Sequence, residues 1–171
     1  MKKWADSNYI LDLNRNKLIA SVNPTIMSLP QIVIGSFIVL ELTNVISLYF
    51  KPETKKSNSI GVFKAWEKSK IDPDIGHFVE YLVNWIEGTK LIFIFLLVVI
   101  LITANQVTLN LTLIALILSI TTFFWRLFPL IRKMDKNDMI SPKNYSTTLV
   151  LMILTIIIAM LITLSLSLLI G

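Results

Sequence analysis

Residues 77–104 read HFVEYLVNWIEGTKLIFIFLLVVILITA. From Leu91 onward the stretch carries no charged side chain. A hydrocarbon core requires roughly 20 largely apolar residues in helical form, and about Tyr81–Ala104 meets that length. Backbone N–H and C=O groups within lipid must find partners inside their own segment, so the stretch is a helix.

Three further blocks repeat the signal. Gln31–Phe50 follows Pro30, about Val107–Leu127 is ended by Pro129, and about Thr147–Ile170 is almost unbroken Leu, Ile, Thr and Ser. The chain has 171 residues, 54% of them hydrophobic and 16% charged, whereas a soluble domain carries about a quarter charged residues. The expected fold is all-α: one multi-pass transmembrane domain over residues 1–171, with spans at about 31–50, 81–104, 107–127 and 147–170.

Composition also removes several chemistries. With no cysteine there is no disulfide, thiolate metal site or cysteine nucleophile. The start, MKKWADSNYILDLNRNK, lacks the apolar run and small-residue cleavage site of a secretory signal. The net charge of +5 resides mostly in loops, where it reports membrane orientation and lipid headgroups rather than nucleic acid. No glycine-rich phosphate loop, serine–histidine–acid set or zinc motif is present, so neither an enzyme nor a cofactor is expected. The lone histidine excludes the paired Glu-x-x-His motifs of a di-iron bundle, and no metal site is expected.

Asp72-Pro73-Asp74 reads as a helix start, with Asp72 as N-cap and Pro73 in the first turn. A helix from Pro73 to Ala104 is about 48 Å long, more than the core of about 30 Å, so its first turns project into the headgroup region. Only Asn105-Gln106 separates the second and third spans, which predicts a tight antiparallel hairpin. The loop at 51–76 holds six lysines, and the segment after the third span holds Arg132, Lys133, Lys136 and Lys143. The positive-inside rule places both in the cytoplasm and the C-terminus outside. Four spans then put the N-terminus outside too, despite its own basic residues. The alternative is a re-entrant or interfacial segment before the first span, within Leu18–Phe50, which Pro24 and Pro30 interrupt. Within the first basic loop, GVFKAWEKSKIDPD reads as a short interfacial helix on the lipid bilayer.

The polar residues of the opening stretch share a geometry. His77, Glu80, Asn84 and Glu87 are spaced 3, 4, 3, and at 100° per residue they fall within an arc of about 80°. A polar line on an apolar helix faces a cavity, a partner helix or the aqueous boundary. His77 and Glu80 mark the cytoplasmic entry, where a solvated edge also explains them. Asn84 and Glu87 lie deeper.

Glu41 is the sharper signal, at the middle of the first span in FIVLELTNV. An acid at that depth costs about 3 kcal/mol on insertion scales, so it faces the bundle interior. Asn44 lies on the same face at i+3. Counting inward from Phe50 puts Glu41 about 14 Å deep, while Lys90 lies about 9 Å and Glu87 about 5 Å inward from Asn84. Lys90 can therefore pair with Glu41 by snorkelling or with Glu87 at i+3. A Glu41–Lys90 pair with no ligand is the purely structural reading.

These residues lead to an expected function: a small membrane protein binding, and moving, a proton, ion or small polar solute at an intramembrane acidic site. Glu41 is the exchangeable charge, Asn44 orients it, Asn84 and Glu87 line the entry, and Lys90 is the counter-ion. Four helices enclose little volume, so self-association is expected. The alternative is a non-catalytic accessory or scaffold subunit bound to a partner membrane protein. A third class, an interfacial enzyme using His77 and Glu80, lacks a second histidine or a nucleophile.

Overall fold

The computed structural model describes residues 27–55 and 60–170. Among these described residues six α-helices follow in order: α1 (Leu29–Phe50), α2 (Lys64–Ser69), α3 (Pro73–Thr103), α4 (Gln106–Thr121), α5 (Phe123–Lys136) and α6 (Tyr145–Ile170), with a 3-10 turn at Ile60–Val62 before α2. No β-strand occurs among the described residues. Four units are long and apolar enough to cross a membrane: α1, α3, α4 continued by α5, and α6. The all-α four-span architecture read from the apolar blocks is present.

Local chemistry sets most of the helix ends. Pro30 does not break the first span but lies in its first turn, where a missing N–H costs nothing. The proposed re-entrant segment falls mainly on residues 18–26, outside the described residues. Asp72 caps α3 as read, accepting from the Asp74 and Ile75 amides at 3.0 and 3.4 Å. The hairpin turn is shifted by one residue: Asn105 caps α4 by accepting from the Thr108 amide at 2.9 Å, and Gln106 is already helical.

Pro129 does not end the third span. The interruption lies at Thr122, where the Thr121 and Thr122 hydroxyls donate to the carbonyls of Ile117 and Ser119. α5 then runs through Pro129 to Lys136. Tertiary packing sustains this continuation, because Ile131 is buried against the loops while Arg132 and Lys133 face outward.

Two apolar clusters hold the bundle. The deep one joins Ile34, Phe37, Ile38 and Val45 of α1 to Ile94 and Leu97 of α3, to Leu109, Leu113 and Leu116 of α4, and to Met160 of α6. Lipid is as apolar as these side chains, so close dispersion contact rather than water release drives this packing. The second cluster, Val62, Ile131, Ile140, Tyr145 and Leu149, sits at the loop end.

The two basic connections are knitted together at this end. Lys64 N donates to Met139 O at 2.9 Å and Ser141 N to Val62 O at 2.8 Å, flanking an isolated bridge between Phe63 and Ile140. Within the first connection Gly61 permits a close turn: its N–H donates to Pro52 O at 2.8 Å, and a Cβ there would collide with the Glu53 backbone carbonyl. The α1–α3 and α5–α6 connections therefore lie on one side of the bundle, and the α3–α4 hairpin lies on the other.

Candidate functional site

One polar residue of the second span, Glu87, belongs to a packing seam. α3 buries Val83, Glu87, Ile94 and Leu97, a row with near-heptad spacing that faces α1, its main partner in the bundle. The seam is apolar at depth and turns polar at Glu87, beyond which Asn84, Glu80 and His77 are exposed. On α1 the buried row is Ile34, Phe37, Ile38 and Val45. Glu41 falls within this row, four residues after Phe37 and four before Val45. Its carboxylate thus has to be met by a group from the facing helix.

Lys90 meets it. Its Nζ donates to Glu41 Oε2 at 2.9 Å, the pairing that depth along the two spans anticipates. Of the two partners open to Lys90, Glu41 takes the ammonium and Glu87 does not. A carboxylate and an ammonium in lipid neutralise each other at far lower cost than either bears alone.

Glu87 is left differently. It is only 2% exposed, and its Oε2 has no hydrogen-bond partner among the described residues. The side chain borders a cavity of about 470 Å³ between α3, the end of α1 and α2. His77, Glu80 and Asn84 border the same cavity, so all four residues of the stripe face one space. His77, Glu80 and Asn84 are exposed, and Glu87 forms the buried floor.

Across the cavity stand residues that the stripe's spacing could not reveal. Trp66 of α2 borders the same space, and its indole Nε1, buried, has no acceptor among the described residues. The Lys70 ammonium lies 5.3 Å from the Trp66 ring centroid. Tyr49 supplies an aromatic wall from α1.

Glu41 and Asn44 border a second, larger space. A groove of about 1080 Å³ opens between α1, the α4–α5 joint and α6, and Thr43, Thr122 and Arg126 also line it. Most of its remaining wall is apolar, with Phe37, Leu40, Phe123, Ile153 and Ile156. Glu41 thus borders this groove, and its partner Lys90 lies one helical turn from Glu87.

No family model, curated protein or solved structure matches the chain. Its chemistry has to be read from the geometry. Among the described residues no group of three or more His, Asp or Glu side chains is placed to hold a metal.

A further polar contact, missed in the sequence, lies at the opposite end of the bundle. Gln106 Nε2 donates to Ser167 Oγ at 2.8 Å, and Ser167 Oγ donates to Asn110 Oδ1 at 2.8 Å. Gln106 and Asn110 stand at i and i+4, a same-face spacing that would have signalled them. Most span hydroxyls instead bond back to their own helix, as Thr43 does to Val39 O and Thr155 to Leu151 O, both at 2.8 Å.

Proposed function

We propose that this chain is a small four-span membrane protein that binds, and moves across the bilayer, a proton, ion or small polar solute through an intramembrane carboxylate. Glu87 carries this reading: it is a buried acid with an unpartnered oxygen, facing a cavity. An acidic group in that state is costly to keep, and within membrane spans such groups serve ligand and proton sites by default. Glu87 takes the exchangeable role in preference to Glu41, because Glu41 already has a cation at 2.9 Å.

The remaining site residues have complementary roles. His77, Glu80 and Asn84 line the entry to Glu87. Lys90 holds Glu41 in the unloaded state and is near enough to Glu87 to change partners when Glu87 changes charge. Glu41 and Asn44 receive the cargo on the groove side. The basic loops lie in the cytoplasm by the positive-inside rule, with the hairpin and C-terminus outside.

Replacing Glu87 with Gln keeps the shape and removes the charge. In proteoliposomes loaded for proton or cation flux, the variant is expected to lose transport while folding normally. Flux equal to that of the unaltered chain would eliminate the site.

A second reading, an accessory subunit, draws support from the lateral groove and from spans whose surfaces mostly face outward. It predicts a stoichiometric partner that co-purifies and is released by bulky substitutions in the groove, such as Thr155→Trp. A chain that assembles only with itself removes this reading.

A further inference from the structure

Glu87 does not face its cavity alone, and what stands opposite narrows the cargo. Among the described residues, Trp66 has a buried indole N–H with no acceptor, and Glu87 a buried carboxylate oxygen with no donor. Both border the same space. An indole N–H can only donate, and an ionised carboxylate can only accept. Their joint complement is a molecule that brings a donor at one end and an acceptor at the other.

Charge and size refine this. The cavity wall includes three carboxylates, Asp72, Glu80 and Glu87, against one ammonium, Lys70. Lys70 is committed elsewhere, over the Trp66 ring and 3.9 Å from Glu67. The net field favours a cation. A metal ion finds no set of three ligands among the described residues, and a proton needs no space of about 470 Å³. Small organic molecules occupy cavities of that order, from about 300 Å³ upward. The aromatic face of Tyr49 suits an alkyl-ammonium group.

We propose that the cavity binds a small organic ammonium carrying an oxygen a few bonds away, with the ammonium on Glu87 and the oxygen on the Trp66 N–H. The same chemistry is offered by a free amino alcohol and by an ethanolamine lipid headgroup. This inference rests on the reading of Glu87 as the exchangeable carboxylate.

The test uses the full chain in phosphatidylglycerol nanodiscs, titrated calorimetrically with ethanolamine. Saturable binding is expected. Ethylene glycol, which lacks the charge, should give none, and methylammonium, which lacks the oxygen, should bind about five- to tenfold more weakly, the worth of one hydrogen bond. Glu87→Gln should abolish binding. Trp66→Phe keeps the ring, and should erase the preference for ethanolamine over methylammonium while leaving methylammonium affinity unchanged.

Repeating the titration in phosphatidylethanolamine nanodiscs separates the sources. Loss of the ethanolamine signal there, with the lipid retained on the native chain but not on Glu87→Gln, assigns the headgroup. An undiminished signal assigns the free solute. Absence of saturable binding in phosphatidylglycerol, or binding indifferent to Glu87→Gln, overturns the proposal. If Glu87→Gln abolishes proton or cation flux and ethanolamine neither binds nor competes, the carboxylate reading survives and the ammonium ligand alone fails.

Discussion

Lys90 Nζ lies 2.9 Å from Glu41 Oε2, across the interface between α1 and α3, although the two residues are 49 positions apart in sequence. Each group is the other's means of residing in lipid. Removing one leaves an uncompensated charge or forces a change of protonation. Lys90→Leu is therefore expected to cost about 2 kcal/mol, in the range for hydrogen bonds to charged groups. Replacing both Glu41 and Lys90 with Leu should recover most of that loss, since a buried pair is often no better than its apolar substitute. Unfolding titrations in mixed micelles measure both.

Glu87 should behave oppositely. Because its oxygen has no partner among the described residues, Glu87→Leu removes a cost rather than a contact, and a gain of about 1 kcal/mol is expected in the same titration, together with loss of flux. A destabilised Glu87→Leu would mean that the carboxylate is satisfied in the membrane.

Gly61 is required by the proximity of the Glu53 carbonyl rather than by its dihedral angles. Gly61→Ala should displace the 3-10 turn and lower stability by about 1–3 kcal/mol. Gly88, with open space where a Cβ would go, is the control. Gly88→Ala should be neutral or slightly stabilising, because alanine is the better helix former.

The Phe63–Ile140 bridge can be trapped covalently. Bridged residues in antiparallel register have Cα atoms about 4.5–5.5 Å apart, within disulfide range. The chain has no cysteine to confuse the result. Phe63→Cys with Ile140→Cys should crosslink within one chain on mild oxidation, detected as a mobility shift reversed by reductant. Phe63→Cys with Gln106→Cys, across the membrane, should not.

Much of this arrangement was legible in the sequence. Apolar length located the spans, the Asp72-Pro73 cap located the start of α3, and 3-4-3 spacing placed His77, Glu80, Asn84 and Glu87 on one face. The depth of Glu41 and Lys90 was a matter of counting residues. Pro129 misled because proline ends a helix by local rules, while the burial of Ile131 against the loop cluster is a tertiary gain that local rules omit. Trp66 was recognised only as an interfacial aromatic. Its position opposite Glu87 depends on how α2 folds back over α3, a contact with no periodic signature.

The loop clasp formed by Val62, Phe63 and Ile140 has a mechanical corollary. It ties the connection that follows α1 to the one that follows α5, while at the far end the Gln106–Ser167–Asn110 contacts tie α4 to α6. The two fastenings join different parts of the bundle, so loosening the far one would free the end of α6 from α4 and leave the clasp closed.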